Sequence, residues 1–194
     1  MSVYGLSIFL HVVAALAIFG AMTVEWLVMH RLQGGASVRQ VRETLHLLKP
    51  LRFLGPPSML TLLVTGVYMG ATNWGHQPWI ALGLLGLVLM GALGGGVTAR
   101  RIGALARSVP EQDGPISPEL ASNLYHPALG LSLRLRLAIG LGVVFLMTVK
   151  PGLAVAVAIL PLFAAAGWIA AAKSRGAERA GLTDGAPPEA EASR

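Results

Sequence analysis

A few ionisable side chains stand inside or at the edge of apolar runs. His11 interrupts "FLHVVAALAIFG", Glu25 lies late in the same run, Arg134 and Arg136 stand two apart in "LSLRLRL", and Lys150 separates two apolar runs in "VKPG". An ionisable group in hydrocarbon is expensive, so each is a candidate for function or for pairing. At 1.5 Å per helical residue His11 lies about 10 Å in from the start of its run and Glu25 about 21 Å further on, so the two cannot pair. Arg134 and Arg136 would point about 200° apart on a helix, letting one face Glu25 while the other reaches headgroups. The expectation is a structural ion pair drawn from Glu25, Arg134 and Arg136, with proton transfer through Glu25 as the alternative.

At the other end of the runs stand His11, His76 in "GATNWGHQPW", and Lys150. Imidazole nitrogen is a good iron ligand, and an ammonium can neutralise a haem propionate. His11, His76 and Lys150 are therefore the candidate cofactor-binding residues, for haem b, with His11 as the candidate metal ligand. For His11 the plainer reading is a hydrogen bond between helices. Tyr4, Tyr68 and Met69 are ordinary membrane-helix residues that could line such a pocket, and Trp74 and Trp79 fit an interfacial aromatic belt. His30 and His46 read as interfacial and His126, before Pro127, as loop. The chain has no cysteine, which removes disulfides and thiolate ligands. Met22, Met29, Met59, Met69, Met90 and Met147 show no clustered Met/His motif, so copper handling is the weakest cofactor reading.

These residues need elements to position them. The chain has 194 residues, 54% hydrophobic and 12% charged, with a mean hydropathy of +0.65, beyond what a soluble surface tolerates. A span needs roughly 20 apolar residues, and five runs qualify or nearly so: Val3 to Met29, Pro57 to Thr72, Trp79 to Thr98, Leu131 to Val149 and Gly152 to Ala172. The expected fold is all-α, a polytopic membrane bundle of about five helices, with 1–175 as one transmembrane domain and 176–194 as a disordered tail. "VKPG" makes the last two spans a hairpin, and Pro161 is expected to kink the fifth. The first run lacks the basic start and cleavage site of a secretory signal and is expected to stay in the mature protein.

Of 15 Lys and Arg, all but Lys150 fall in or beside the loops after the first and third spans and in the tail. The positive-inside rule then puts the N-terminus outside and the C-terminus in the cytoplasm, in the inner membrane of a prokaryote. The same asymmetry accounts for the pI near 10.5 through contact with anionic lipid. The basic residues form no single patch interleaved with aromatics, so nucleic acid is not an expected partner.

In "SVRQVRETLHLLK" (37–49), Val38, Val41, Leu45 and Leu48 share helical spacing, and Ser37 with Gln40 fits a capping box. A short amphipathic helix in the cytoplasmic interface is expected, with a solvated linker as the alternative. Segment 108–127, with Pro110, Pro115, Pro118 and Pro127, reads as a loop. Gly91 with Gly95 and Gly66 with Gly70 form small-xxx-small pairs that suit helix packing, or else room for a flat cofactor.

The string "FLHVVAALAIFGAMTVEWLVMHRL" resembles the first span of the HemJ-type protoporphyrinogen oxidases and the wider CopD-like membrane superfamily. "LGPPSMLTLLVTGVYM" and "PWIALGLLGLVLMGALGGGVTARRI" resemble their second and third spans, and "VKP" closes the fourth as theirs does. The resemblance, over about residues 5 to 151, implies that His11 and Lys150 belong to a haem or porphyrin site. Where those enzymes commonly carry a third-span histidine this chain has "LMGALGGG". The resemblance therefore points to an uncharacterised branch rather than to porphyrinogen oxidation, and enzymatic activity is not the leading expectation. Two functions stand: a haem b protein passing electrons to or from a quinone or partner subunit, and a non-catalytic accessory subunit of a larger membrane complex, or of a homo-oligomer, whose glycine faces dock other spans.

Overall fold

The computed structural model describes residues 2–33 and 37–184, apart from the side chains of Gln33, Arg52 and residues 174–184. Eight α-helices are present among them: α1 (Val3–Gln33), α2 (Val38–His46), α3 (Leu51–Met69), α4 (Pro78–Gly91), α5 (Ala99–Ser108), α6 (Pro118–Leu124), α7 (Pro127–Val149) and α8 (Leu153–Asp184). A π-helical turn, Gly70–Trp74, extends α3, and a second, Ala92–Thr98, joins α4 to α5. Five segments are long and apolar enough to cross a membrane: Val3–Leu32, Phe53–Trp74, Pro78–Ser108, Pro118–Val149 and Leu153–Lys173.

The lateral order of the spans follows from which faces carry small or polar residues. α1 pairs with α3, while α7 packs against α4 and α8 and touches α1. Along α1 the inward stripe is Ala14, Ile18, Met22, Glu25, Val28 with Met29, and Leu32, spaced three or four residues apart, with exposed side chains such as Leu16, Val24 and Leu27 between them. The fourth segment has 44% of its apolar window buried, against 28% or less in the others, so α7 is the axis of the bundle.

Glycines let the backbones approach α7. A Cβ on Gly83 or Gly86 would run into Met147 or Val143 of α7, and one on Gly167 would meet Ala138 Cβ at 2.9 Å and the Arg134 carbonyl oxygen at 3.1 Å. The seams therefore run through Gly83 and Gly86 and through Gly167. The expected Gly91/Gly95 pair makes none: Gly95 has nothing within 4 Å and Gly91 meets only Met59. Gly66 and Gly70 serve different neighbours, His11 and Ile80.

The second span begins before Pro57. α3 starts at Leu51 and carries Pro56 and Pro57 inside it. The prolines lie close enough to the helix start that the carbonyls they orphan, on Arg52 and Phe53, belong to its first turn. Likewise Pro161 sits within an unbroken α8. That helix runs to Asp184, into the segment expected to be disordered from 176, in keeping with the good helix formers of "AAAKSRGAERAG". Residues 185–194, the rest of the expected tail, lie outside the described residues.

At the basic end of the bundle the connections fold into a cap. Ser37 caps α2 through the expected box, Gln40 N donating to Ser37 Oγ at 3.4 Å and Ser37 N to Gln40 Oε1 at 2.9 Å. The apolar face of α2 is turned into the protein. Val38, Val41 and Leu48 bury against Val28, Leu32, Leu105, Leu120 and Leu124. Segment 108–127 is correspondingly not all loop. Ser117 accepts a bond from Leu120 N and Pro118 opens α6, whose Leu120 and Leu124 are fully buried. Arg42 clamps the two connections together, donating to the carbonyls of Pro110 (2.6 Å) and Glu111 (2.8 Å) and pairing with Asp113 at 3.2 Å.

Candidate functional site

Three polar stations interrupt the apolar bundle, and the structure keeps them apart. The first is His11, near the hairpin end of α1. Its Nδ1 lies 2.8 Å from Thr65 Oγ1 of α3, and its Cε1 sits where a Cβ on Gly66 would be 3.4 Å away, so Gly66 makes room for the ring. The Thr65 hydroxyl donates to the Thr61 carbonyl one turn back. With that proton on Thr61, Thr65 can offer His11 a lone pair, an arrangement in which Nδ1–H would donate and Nε2 would keep its lone pair.

The second station is at the hairpin. Lys150 ends α7 with φ 51° and ψ 54°, a left-handed cap whose N–H donates to Leu146 O. It is the one non-glycine residue at positive φ among the described residues, a conformation costing roughly 1–2 kcal/mol per residue. Its ammonium lies 3.7 Å from the centre of the Trp74 ring and 5.9 Å from that of Trp79, the two indoles meeting edge to face. Lys150 thus holds the turn at the end of α3 against the hairpin. Trp79 is buried rather than belonging to an interfacial belt, whereas Trp74 is exposed. His76 is exposed in the turn between them, and no hydrogen bond or ion pair among the described residues joins His76 or Lys150 to His11.

The third station is where α1, α7 and the Ala92–Thr98 π turn meet. Arg136 Nη2 lies 2.6 Å from Glu25 Oε2, with both side chains only 11% exposed. Arg134, two residues away, makes no such pair among the described residues, as opposite faces of α7 require. The guanidinium lies across Gly94, where a Cβ would sit 3.1 Å from Nη1. One turn before Arg136, Ser132 Oγ donates to Leu93 O at 3.2 Å. Its own partner is the buried Thr98 hydroxyl at 2.9 Å, which completes a chain from Thr98 through Ser132 to the backbone. Arg136 Nε is buried without a hydrogen-bond partner, the one such side-chain atom among the described residues.

Thr65, Ser132, Thr98 and Gly94 are the site residues that sequence reasoning did not single out. Ser132 carried a usable signal, standing four residues before Arg136 and hence on its face. Outside the stations, His30 stacks on Trp26 with ring centres 5.7 Å apart. His126 stands outside the helices, as expected, and caps α7, its Nδ1 accepting from Ala128 N at 3.2 Å. Among the described residues no three His, Asp or Glu come together as a metal site.

Compared with known proteins, residues 6–151 match the family described as predicted integral membrane protein (DUF2269). No curated protein and no solved structure matches the chain. The match spans most of the chain, which therefore belongs to this family of multi-pass membrane proteins.

Proposed function

We propose that this member of the DUF2269 family is a membrane electron carrier that holds haem b through His11 Nε2, near the hairpin end of the bundle. The observation that carries the reading is the bond from His11 to Thr65. A histidine that ligates a metal characteristically donates its other ring N–H to a neighbouring acceptor, which fixes tautomer and ring plane. Thr65, with its own proton committed to Thr61, is such an acceptor. His11 is the one residue of the candidate set free to hold the iron, since His76 is exposed in a turn and Lys150 is engaged by Trp74. Haem bound there would supply one-electron chemistry. The residues of the chain would orient the imidazole through Thr65 and leave room for its ring at Gly66.

Visible absorption of the protein purified in detergent from haem-replete cells tests the reading. A Soret band with sharp reduced α and β bands, lost in His11→Ala and shifted in Thr65→Val, is the expected result. A colourless wild-type protein overturns it. That result would favour the second reading, an accessory membrane subunit in which the same His11–Thr65 bond fastens α1 to α3.

A further inference from the structure

The Glu25–Arg136 pair uses one N–H of the guanidinium fork and one carboxylate oxygen. Arg136 Nε–H is left buried and unpartnered, at a cost that native interiors rarely leave uncompensated. Beside it, the π turn Ala92–Thr98 departs from α geometry, as membrane and soluble helices often do at functional sites. Its Gly94 lies under the guanidinium, and Gly95 is exposed with nothing within 4 Å. Soft side chains stand around the junction. Met90 and Phe19 approach Gly140, one turn beyond Arg136, and Met59 approaches Gly91. Methionine repacks readily around flat or irregular ligands.

We infer that this junction binds the head of a lipid-soluble quinone-class molecule, Arg136 Nε–H donating to a ring oxygen while Glu25 stays paired with Nη2. The chemistry is that of an uncharged oxygen acceptor on a flat apolar ring. A neutral head suits a station whose charges already cancel, an acceptor suits the spare donor, and the exposed, side-chain-free backbone at Gly95, next in sequence to the Gly94 that the guanidinium covers, suits a ligand that arrives through lipid. Ser132 spends its proton on Leu93 O and Thr98 its own on Ser132. They hold the π turn in shape and leave Arg136 to provide the donor. The site is distinct from His11, which lies about 21 Å away along α1 by helical rise.

The test is saturable binding of a decyl-substituted benzoquinone to the full-length protein in lipid nanodiscs, read by equilibrium dialysis. Binding of one quinone per chain is expected. Arg136→Lys keeps the charge opposite Glu25 but removes the Nε–H, and should weaken binding about tenfold, the order of one charge-assisted hydrogen bond. Gly95→Leu leaves the ion pair untouched and fills the approach, and should weaken binding at least as much, which keeps the test decisive if Arg136→Lys does not fold. Arg134→Lys, on the opposite face, should bind within twofold of the wild type. No saturable binding, meaning that only water serves Nε–H, or a folded Arg136→Lys or Gly95→Leu protein that binds within twofold of the wild type, overturns the inference. Dialysis does not depend on the visible spectrum, so a colourless protein that binds quinone and a coloured one that does not are separate results.

Discussion

Replacing one member of the Glu25–Arg136 pair strands the other in an apolar junction. Glu25→Leu should destabilise the protein by about 3–5 kcal/mol, because Arg136 then keeps its charge with no partner. The double variant Glu25→Leu/Arg136→Met should recover most of that loss, since a well-packed apolar pair often replaces a buried ion pair at little cost. Reversible unfolding in mixed micelles, run as a double-mutant cycle, reads both values. A double variant as unstable as Glu25→Leu alone would show that packing, not pairing, sets the cost. The sequence exposed His11, Glu25 and the two arginines because charge and imidazole stand out against hydrocarbon. It could not choose between Arg134 and Arg136, since that choice is the rotation of α7 about its axis. Nor could it pick out Thr65, Thr98 or Ser132. A hydroxyl in a membrane helix can bond to a carbonyl one turn back wherever it sits, as Thr23, Thr61 and Thr148 do here, so only the neighbouring helix distinguishes a working hydroxyl from an idle one.

Among the elements, the glycines separate into those with a neighbour pressed on them and those without. Gly167→Ala would drive a methyl against the backbone of α7 at Arg134, which no side-chain rotation relieves. A loss of about 1–3 kcal/mol is expected, the usual cost of overpacking. Gly95→Ala meets nothing within 4 Å and should be neutral or stabilising by roughly 0.5–1 kcal/mol, the helical advantage of alanine over glycine. Thermal unfolding in detergent compares the two, and equal losses would mean that α8 does not seat on α7 through Gly167. Hydropathy and "VKPG" were enough to give five spans and the last hairpin. They missed the seams because a small-xxx-small pattern records where close approach is permitted, not where a partner comes. The start of α6 has a sequence signal in Ser117 before Pro118, which a loop reading drawn from the four prolines of 108–127 passes over.

For the molecule as a whole, the lone cation at the hairpin end and the basic cap at the other end define two unlike faces. Lys150 is bound to indole rings, whereas the cap carries exposed Arg39, Arg100, Arg101 and Arg107. Lysine and arginine near span ends are retained on the cytoplasmic side, so the cap should face the cytoplasm and the hairpin should face out. The chain has no cysteine, so single cysteines report without background. His76→Cys lies in the exposed turn at the hairpin end, and Gln112→Cys in the exposed cap segment beside the Arg42 clamp. A membrane-impermeant maleimide added to intact cells should label position 76 and spare position 112 until the cells are lysed. The reverse pattern would invert the bundle and bring the His11 end to the cytoplasmic side. It would also place fourteen of the fifteen basic residues outside, against the rule that best accounts for their distribution. If the expected pattern holds, a haem at His11 would exchange electrons near the outer leaflet while a quinone at Arg136 would enter from the inner one. The two proposed sites would then lie toward opposite leaflets, about 21 Å apart by helical rise along α1.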